Sequence, residues 1–351
     1  MDEIRVSVVI PYYNNDRTLA RCLQSFACQQ SRPPDEIVLV DDGSSRPAAD
    51  IVKTLSLPVP VRLETCAHAG QSKATSVGVA AASGDVVLLT CADIVAVQQF
   101  VEVHVDEHRR ARAKGESVAV MGHIEYAPWV RRTPFLRYLS TDGPQFCFGA
   151  IANPERVDGA LLYSPNFSIE RSWMRRLGGF DEQLPYGFQD TDFGLRLVQA
   201  GIRLMYRRAA WAHHDHPNDL ANFCRRNRSV GRHFYRVASR HPHLFRYGQL
   251  RSTLEVVACT PSMLPTLLPA VDKLEAMLTR SDAWDQAFGQ RLFTMYQQAL
   301  SAAFFEGVLA GDPRTGSWLG YSPAAWTAMC ERQPAATLRP LLQAPSAPLA
   351  S

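Results

Sequence analysis

Four short β-prone runs, the first three each followed by a helical stretch, constrain this chain more than any other feature. Val6 to Ile10 is a continuous β-prone run that Pro11-Tyr12-Tyr13-Asn14-Asn15 interrupts. Glu36 to Val40 is a second, closed by Asp41-Asp42-Gly43-Ser44-Ser45. Val61 to Glu64 and Val86 to Thr90 are the third and fourth. Between them, Asp16 caps a helix through Gln29 with Leu19, Cys22, Leu23 and Phe26 on one face, and Ser72 to Ala82 reads as helix. Strands alternating with helices predict βαβ units and a parallel sheet.

In such sheets ligands bind where the loops leave the carboxyl ends of the strands. Tyr13, the Asp41-Asp42 pair and Asp93 all fall at such ends. No GxGxxG loop follows the first strand, which argues against a dinucleotide-binding domain.

The pattern continues with a strand at Val118 to Tyr126 and an irregular, aromatic stretch over 127–160. Ser164 to Ile169 leads into a helix at Arg171 to Arg176, and Gly178-Gly179-Phe180-Asp181-Glu182 is a turn. Asp190 to Ala200 is an amphipathic helix, and Gly201 ends it. Ile202 to Tyr206 is a strand, and Ala209 to Ala212 leads to His213-His214-Asp215-His216. Beyond Asn218 the chain reads as helical, with a Pro-, Ala- and Ser-rich tail from Pro334.

Composition narrows the classes. With 46% hydrophobic and 20% charged residues the chain has the makings of a globular core. A formal net charge of +3 is too mild to argue for nucleic acid, so no nucleic-acid partner is expected. Eight scattered cysteines without a CxxC pair suggest neither a zinc cage nor a disulfide framework, and fit reduced thiols in the cytoplasm. The first residues do not read as a signal peptide, and the longest apolar stretch, 256–271, is broken by Pro261, Pro265 and Pro269. A cytoplasmic protein, or one peripheral to the inner face of a membrane, is the expectation.

Five pieces in order carry a resemblance: Val8-Val9-Ile10-Pro11-Tyr12-Tyr13-Asn14, Ile37 to Ser44, Ser83-Gly84-Asp85 with Cys91-Ala92-Asp93, Gly178 to Glu182, and Gln189-Asp190 through Leu197. Over Val6 to His216 the chain resembles the family 2 glycosyltransferases. The resemblance implies an α/β, GT-A type, Rossmann-like fold: a mostly parallel central sheet flanked by helices, here with a helical C-terminal extension. It implies a catalytic domain over 1–217, with nucleotide-sugar binding in 1–125 and the acceptor and base half in 126–217. A helical region over 218–333 and a flexible tail over 334–351 follow.

The resemblance also distributes roles. It implies that Pro11 and Tyr13 line the nucleobase and that Asp41 or Asp42 holds base or ribose through carboxylate hydrogen bonds. Lys73 and Ala92 fall near the donor, and Asn166 and Ser168 match a polar turn near the acceptor. The family places an Asp-any-Asp triplet after the fourth strand to hold a divalent cation, Mn²⁺ or Mg²⁺, against the donor diphosphate. This chain has Cys91-Ala92-Asp93 there. Asp93 keeps the metal position, while Cys91 is a poor hard-oxygen substitute. His214, with His216 as the alternative, matches a further metal ligand. Asp190 matches the general base of an inverting displacement, and Gln189 stands where the family has a neighbouring acid. For Asp192 helix capping is the better reading.

An inverting transfer of sugar from a nucleoside diphosphate sugar, a UDP-sugar foremost, is therefore expected. The acceptor would be a glycan, a lipid-linked sugar or a natural product. The departures at Cys91 and Gln189 leave a rival: a non-catalytic member that binds nucleotide sugar or glycan. In the C-terminal region, residues 223–240 alternate arginines with apolar residues as a basic amphipathic helix, which allows peripheral contact with anionic lipid. The long helical remainder allows a homodimer contact.

Overall fold

A computed structural model of the chain describes residues 3–141, 145–244, 254, 257–258, 264–278 and 286–331. The tail expected over 334–351 lies outside the described residues, as do residues 256 and 259–263 of the apolar stretch. Contacts divide the chain into two units. One comprises Met1–Arg131 and Pro144–Pro217, the other Arg132–Gly143 and Asn218–Ser351.

The first unit begins with β1 (Val6–Tyr12), α1 (Asp16–Ala27), β2 (Glu36–Asp41), α2 (Ala48–Val52), β3 (Val61–Thr65), α3 (Gln71–Ala81) and β4 (Val86–Thr90). There follow β5 (Ile94–Ala96), α4 (Phe100–Arg112) and β6 (Val118–Tyr126). Helix α5 (Pro134–Thr141) belongs to the second unit. The first unit closes with β7 (Asn166–Glu170), α6 (Arg171–Arg176), α7 (Gln189–Gln199) and β8 (Arg203–His214).

The eight strands form one sheet in the order β3-β2-β1-β4-β7-β6-β8-β5. The first four are mutually parallel, as the βαβ alternation predicts. Strand β7 then runs antiparallel to both β4 and β6, β8 is parallel to β6, and β5 is antiparallel to β8. The result is the mixed α/β sheet with flanking helices that the motifs implied.

Alternate residues of β1 feed two cores. Val6, Val8 and Ile10 pack with Leu19, Leu23 and Phe26 of α1 on one face. On the other, Val9 packs with Ala74 and Val79 of α3 and with Val38, Val40, Val87 and Phe167. Burying each large apolar side chain stabilises the fold by roughly 1.5–3 kcal/mol. Because both faces are covered, these strands read as continuous runs rather than as alternation. Helix α3 lies so close to the sheet that a Cβ on Gly78 would meet Val9 Cγ1 at 2.4 Å.

Two strands differ from the sequence reading. Residues 166–170 form a strand where the sequence suggested a lead-in to α6, because the polar side chains of this short segment find partners inside the protein. Asn166 Nδ2 donates to the carbonyls of His123 (3.0 Å) and Ala210 (2.8 Å), so its Oδ1 accepts from His104 Nε2 at 2.9 Å. That leaves His104 Nδ1 to accept from the Ser168 hydroxyl at 2.8 Å, and Ser168 Oγ in turn accepts from His108 Nε2 at 2.8 Å. All four side chains are buried. Asn166 and Ser168 thus serve the interior of the sheet, not an acceptor-side turn. Residues 203–214 form one long strand rather than two pieces. A bulge between Gly122 and His123 shifts the register from Arg207 to Trp211 and absorbs the polar interruption.

The second unit is helical. Besides α5 it contains α8 (Leu220–Arg232), α9 (Phe234–Arg240), α10 (Leu264–Leu278), α11 (Gln286–Leu309), α12 (Arg314–Trp318) and α13 (Pro323–Cys330). Phe135 and Tyr138 of α5 pack around Tyr296 of α11, and Phe135 also meets Phe223 of α8. Helices α8 and α11 cross at glycines: a Cβ on Gly307 would lie 2.0 Å from the Arg228 carbonyl. The expected basic helix over 223–240 breaks at His233. Arg228 pairs with Glu306 and Arg226 lies over the Phe223 ring, while Arg225, Arg232 and Arg240 are exposed. Among the described residues no helix is long and apolar enough to cross a membrane.

Candidate functional site

A cleft of about 450 Å³ opens at the carboxyl ends of β1, β2 and β4 in the first unit. Pro11 near the end of β1 and Tyr13 just beyond it line the cleft, Asp42 follows β2, and Cys91, Ala92 and Asp93 follow β4. His68, Ala69, Gly70 and Gln71, from the loop between β3 and α3, form another wall, and Pro185 and Tyr186 close the rim.

The two acids at the end of β2, Asp41 and Asp42, have different partners. Asp41 Oδ1 accepts from Ser44 N at 2.9 Å and Oδ2 from Ala48 N at 2.8 Å. It holds the turn and the start of α2 and does not line the cleft. Asp42 turns the other way. Its Oδ1 accepts from Ala69 N and its Oδ2 from Gly70 N, both at 2.9 Å, and His68 Nδ1 lies 2.9 Å from Oδ2. The His68 ring stacks on Tyr13 with centroids 3.9 Å apart and planes 16° apart.

At the other end, Asp93 Oδ2 lies 3.5 Å from His214 Nε2 and 3.7 Å from His216 Nδ1. Burial works against charge on Asp93. The neighbouring His214 and then His216 outweigh it, so the carboxyl is held below the ordinary range. The pairing of β5 with β8, Ile94 opposite His214, brings these distant residues together. Asp215 is fully employed beside them. It accepts from Trp129 Nε1 at 2.7 Å, pairs with Arg21, and its amide donates to the Asp93 carbonyl at 2.8 Å.

One carboxylate and an imidazole suit a Mn²⁺-type cation in their chemistry. Among the described residues, the buried Nδ1 of His214 has no hydrogen-bond partner. Among the described residues no group of three His, Cys, Asp or Glu side chains has metal-ligand geometry. Asp93 and His214 thus form a carboxylate–imidazole pair rather than a complete ligand cage. Cys91 Sγ accepts from Gln71 Nε2 at 3.2 Å, so the residue in place of an acid is tied to the cleft wall.

The rim loop leads to the expected base. Gly187 and Phe188 both take left-handed backbone, with φ of 82° and 63°, and turn the chain from Tyr186 into the first turn of α7. Asp190 sits there, its Oδ2 accepting from Ser164 N at 3.3 Å. Gly194 lets α7 approach closely, since a Cβ there would lie 2.1 Å from the Gly159 carbonyl.

The structure therefore brings Pro11, Tyr13, Asp42, Ala92 and Asp93 into one cleft, sets His214 against Asp93, and carries Asp190 on the helix that follows its rim. It does not bring in Asp41, for the reason above. Nor does it bring in Lys73, whose Nζ is 3.1 Å from Glu182 Oε2, both side chains being exposed. Asp192 is buried and paired with Arg196 at 2.9 Å, as a structural residue of α7. Sequence reasoning missed His68, Gln71 and Tyr186. A signal for His68 existed: it sits in a loop leaving the carboxyl end of the third strand, where ligand loops are expected.

Residues 7–174 match the family model described as glycosyl transferase family 2. The pre-mycofactocin glycosyltransferase of Mycobacterium tuberculosis is 27% identical over 240 residues, 68% of this chain and 48% of the relative. The validoxylamine A glucosyltransferase of Streptomyces hygroscopicus subsp. limoneus is 28% identical over 228 residues, 59% of this chain and 50% of the relative. The chain thus spans about half the length of these curated relatives. Among solved structures, the mannosyltransferase from Pyrobaculum calidifontis in complex with GDP-Man and Mn²⁺ aligns with a TM-score of 0.54 at 18% identity, covering 89% of both chains. At that identity the likeness is one of fold.

Proposed function

We propose that this chain, which belongs through residues 7–174 to glycosyl transferase family 2, is an inverting transferase that moves a sugar from a nucleoside diphosphate sugar, a UDP-sugar first among the candidates, to an acceptor hydroxyl. The acceptor would be a glycan, a lipid-linked sugar or a natural product. The observation that carries the reading is the continuity of one wall: Tyr13, Asp42 and Asp93 line a single cleft, and its rim at Pro185-Tyr186 runs directly into the helix of Asp190.

Each residue has a task in a single in-line displacement. Tyr13 and Pro11 would take the flat base end of the donor, with the diphosphate toward Asp93. Asp190 would accept the proton of the acceptor hydroxyl as its oxygen bonds to the sugar C1 and the diphosphate leaves with the bonding electron pair. Position in the first turn of α7 favours the charged carboxylate that this needs, and the uncharged Gln189 adds no like charge beside it. A divalent cation held by Asp93 and His214 would supply Lewis-acid neutralisation of the leaving diphosphate.

The test is nucleotide release from a panel of UDP- and GDP-sugars with and without Mn²⁺, alongside calorimetric binding. Metal-stimulated release that Asp190→Asn abolishes is the expected result. Absence of binding to every nucleotide, or undiminished transfer by Asp190→Asn, overturns it.

A further inference from the structure

We propose that the outer face of α8 and α9 docks on an anionic phospholipid surface. The proposal goes beyond the transferase reading and singles out the lipid-linked sugar among its acceptors. Vesicle binding needs neither donor nor turnover, so the two readings fail separately.

The sequence concentrates positive charge in this region. Between Asp219 and Glu255 there is no acidic residue, and eight arginines fall in that interval. The whole chain carries a formal net charge of +3, so the excess is local.

The helices sort this charge by face. On α8, Leu220, Phe223, Cys224 and Gly231 are buried. Asn222, Arg225, Ser229 and Arg232 lie on the opposite side of the same helix and are exposed. Arg225 and Arg232 stand two turns apart, roughly 10 Å along the axis. On α9, Phe234, Val237 and Ala238 are buried, while Ser239 and Arg240 are exposed.

Acids near these helices are already engaged. Asp219 caps α8, accepting from Asn222 N at 2.7 Å. Glu306 of α11 pairs with Arg228, and Asp312 pairs with Arg314. Arg225 donates to the uncharged side chain of Asn222. The outer face therefore keeps its positive field.

The form of the face favours lipid over nucleic acid. Phe223 and Phe234 are buried on the inner side, and the half-buried Tyr235 lies under the Arg314 guanidinium. Nucleic-acid sites that track single strands combine basic grooves with exposed stacking rings. Here guanidinium groups stand out from a helical surface, with the apolar side chains of both helices turned into the unit. Such a face suits a plane of phosphate headgroups, which guanidinium binds with paired hydrogen bonds.

Co-sedimentation of the full chain with vesicles tests this. Vesicles of equal parts phosphatidylcholine and phosphatidylglycerol should retain the protein at about 0.1 M salt and release it near about 1 M, where screening is nearly complete. Pure phosphatidylcholine vesicles should not retain it. Each arginine close to an anionic surface strengthens binding by about fivefold, so the triple variant Arg225→Gln, Arg232→Gln, Arg240→Gln should lose at least about tenfold in partitioning. The same three positions changed to Lys should keep most of it, which separates charge from a folding defect. Equal binding to neutral vesicles, no binding to the anionic ones, or undiminished binding by the Gln variant overturns the proposal. So does tighter binding to a short oligonucleotide than to the anionic vesicles.

Discussion

Gly70 and Pro185 touch so closely that a Cβ on Gly70 would stand 2.6 Å from Pro185 Cβ and 2.8 Å from its carbonyl. The Ser72 hydroxyl donates to the Leu184 carbonyl at 2.5 Å beside them. Through this contact the loop fixed by Asp42 and the loop that leads to Asp190 form one surface. Gly70→Ala should be costly for two reasons, this contact and a φ of +94°. A loss of about 1–3 kcal/mol is expected in urea unfolding, with weaker nucleotide binding. A variant as stable as the wild type would show that the loops do not depend on each other.

Asp190 and Asp192 stand in the same first turn but should separate cleanly. Asp190→Asn should lower the transfer rate about a hundredfold to ten-thousandfold and leave nucleotide affinity within a few-fold. Asp192→Asn weakens the buried pair with Arg196, which also donates to the Gly179 carbonyl at 2.8 Å. It should cost about 1–3 kcal/mol of stability with turnover of the folded fraction largely kept. Equilibrium unfolding and rate measurement on both variants check the split, and a reversed pattern would exchange the two roles.

Asp93→Ala and His214→Ala should act on donor binding only in the presence of metal. With Mn²⁺ each should weaken a nucleoside diphosphate by at least about tenfold, in line with the losses seen when the setting of a metal is disturbed. In EDTA, wild type and variants should converge. Equal affinity differences with and without metal would assign these residues to direct contacts instead.

The buried chain His108–Ser168–His104–Asn166 predicts acid sensitivity of the fold. Burial pushes the imidazole of His104 down to about 4 and, with the nearby His104 also opposing charge, that of His108 to about 3. An unfolded histidine titrates near 6.5. As pH falls below that value the unfolded state takes up the proton first, so stability drops until the folded imidazoles titrate in turn. Between pH 6.5 and about 4 each histidine should remove about 1.4 kcal/mol per pH unit. Urea unfolding at pH 7 and pH 5 measures the slope. His104→Gln should flatten it, and an unchanged slope would place the acid sensitivity elsewhere.

Much of the donor half was legible from residue order. The runs at 6–10, 36–40 and 86–90 are almost wholly buried, so local composition alone marks them as strands, while the run at 61–64 is the partly exposed edge strand of the sheet. Strand ends then point to Tyr13, Asp42 and Asp93 without knowledge of the fold. Strand β7 escaped because its polar residues find their partners on α4, far away in the chain, and β5 because three residues carry no periodicity.

The sequence by itself determined the βαβ order, the acids at the strand ends and the helix that carries Asp190, because each follows from local pattern. It could not divide the work within Asp41-Asp42 or join Asp93 to His214. Those outcomes depend on which distant backbone amides and rings arrive. Ser44 and Ala48 claim Asp41, the 68–70 loop claims Asp42, and the β5–β8 pairing delivers His214. A carboxylate has only a few hydrogen-bonding positions, and only the tertiary structure decides who fills them.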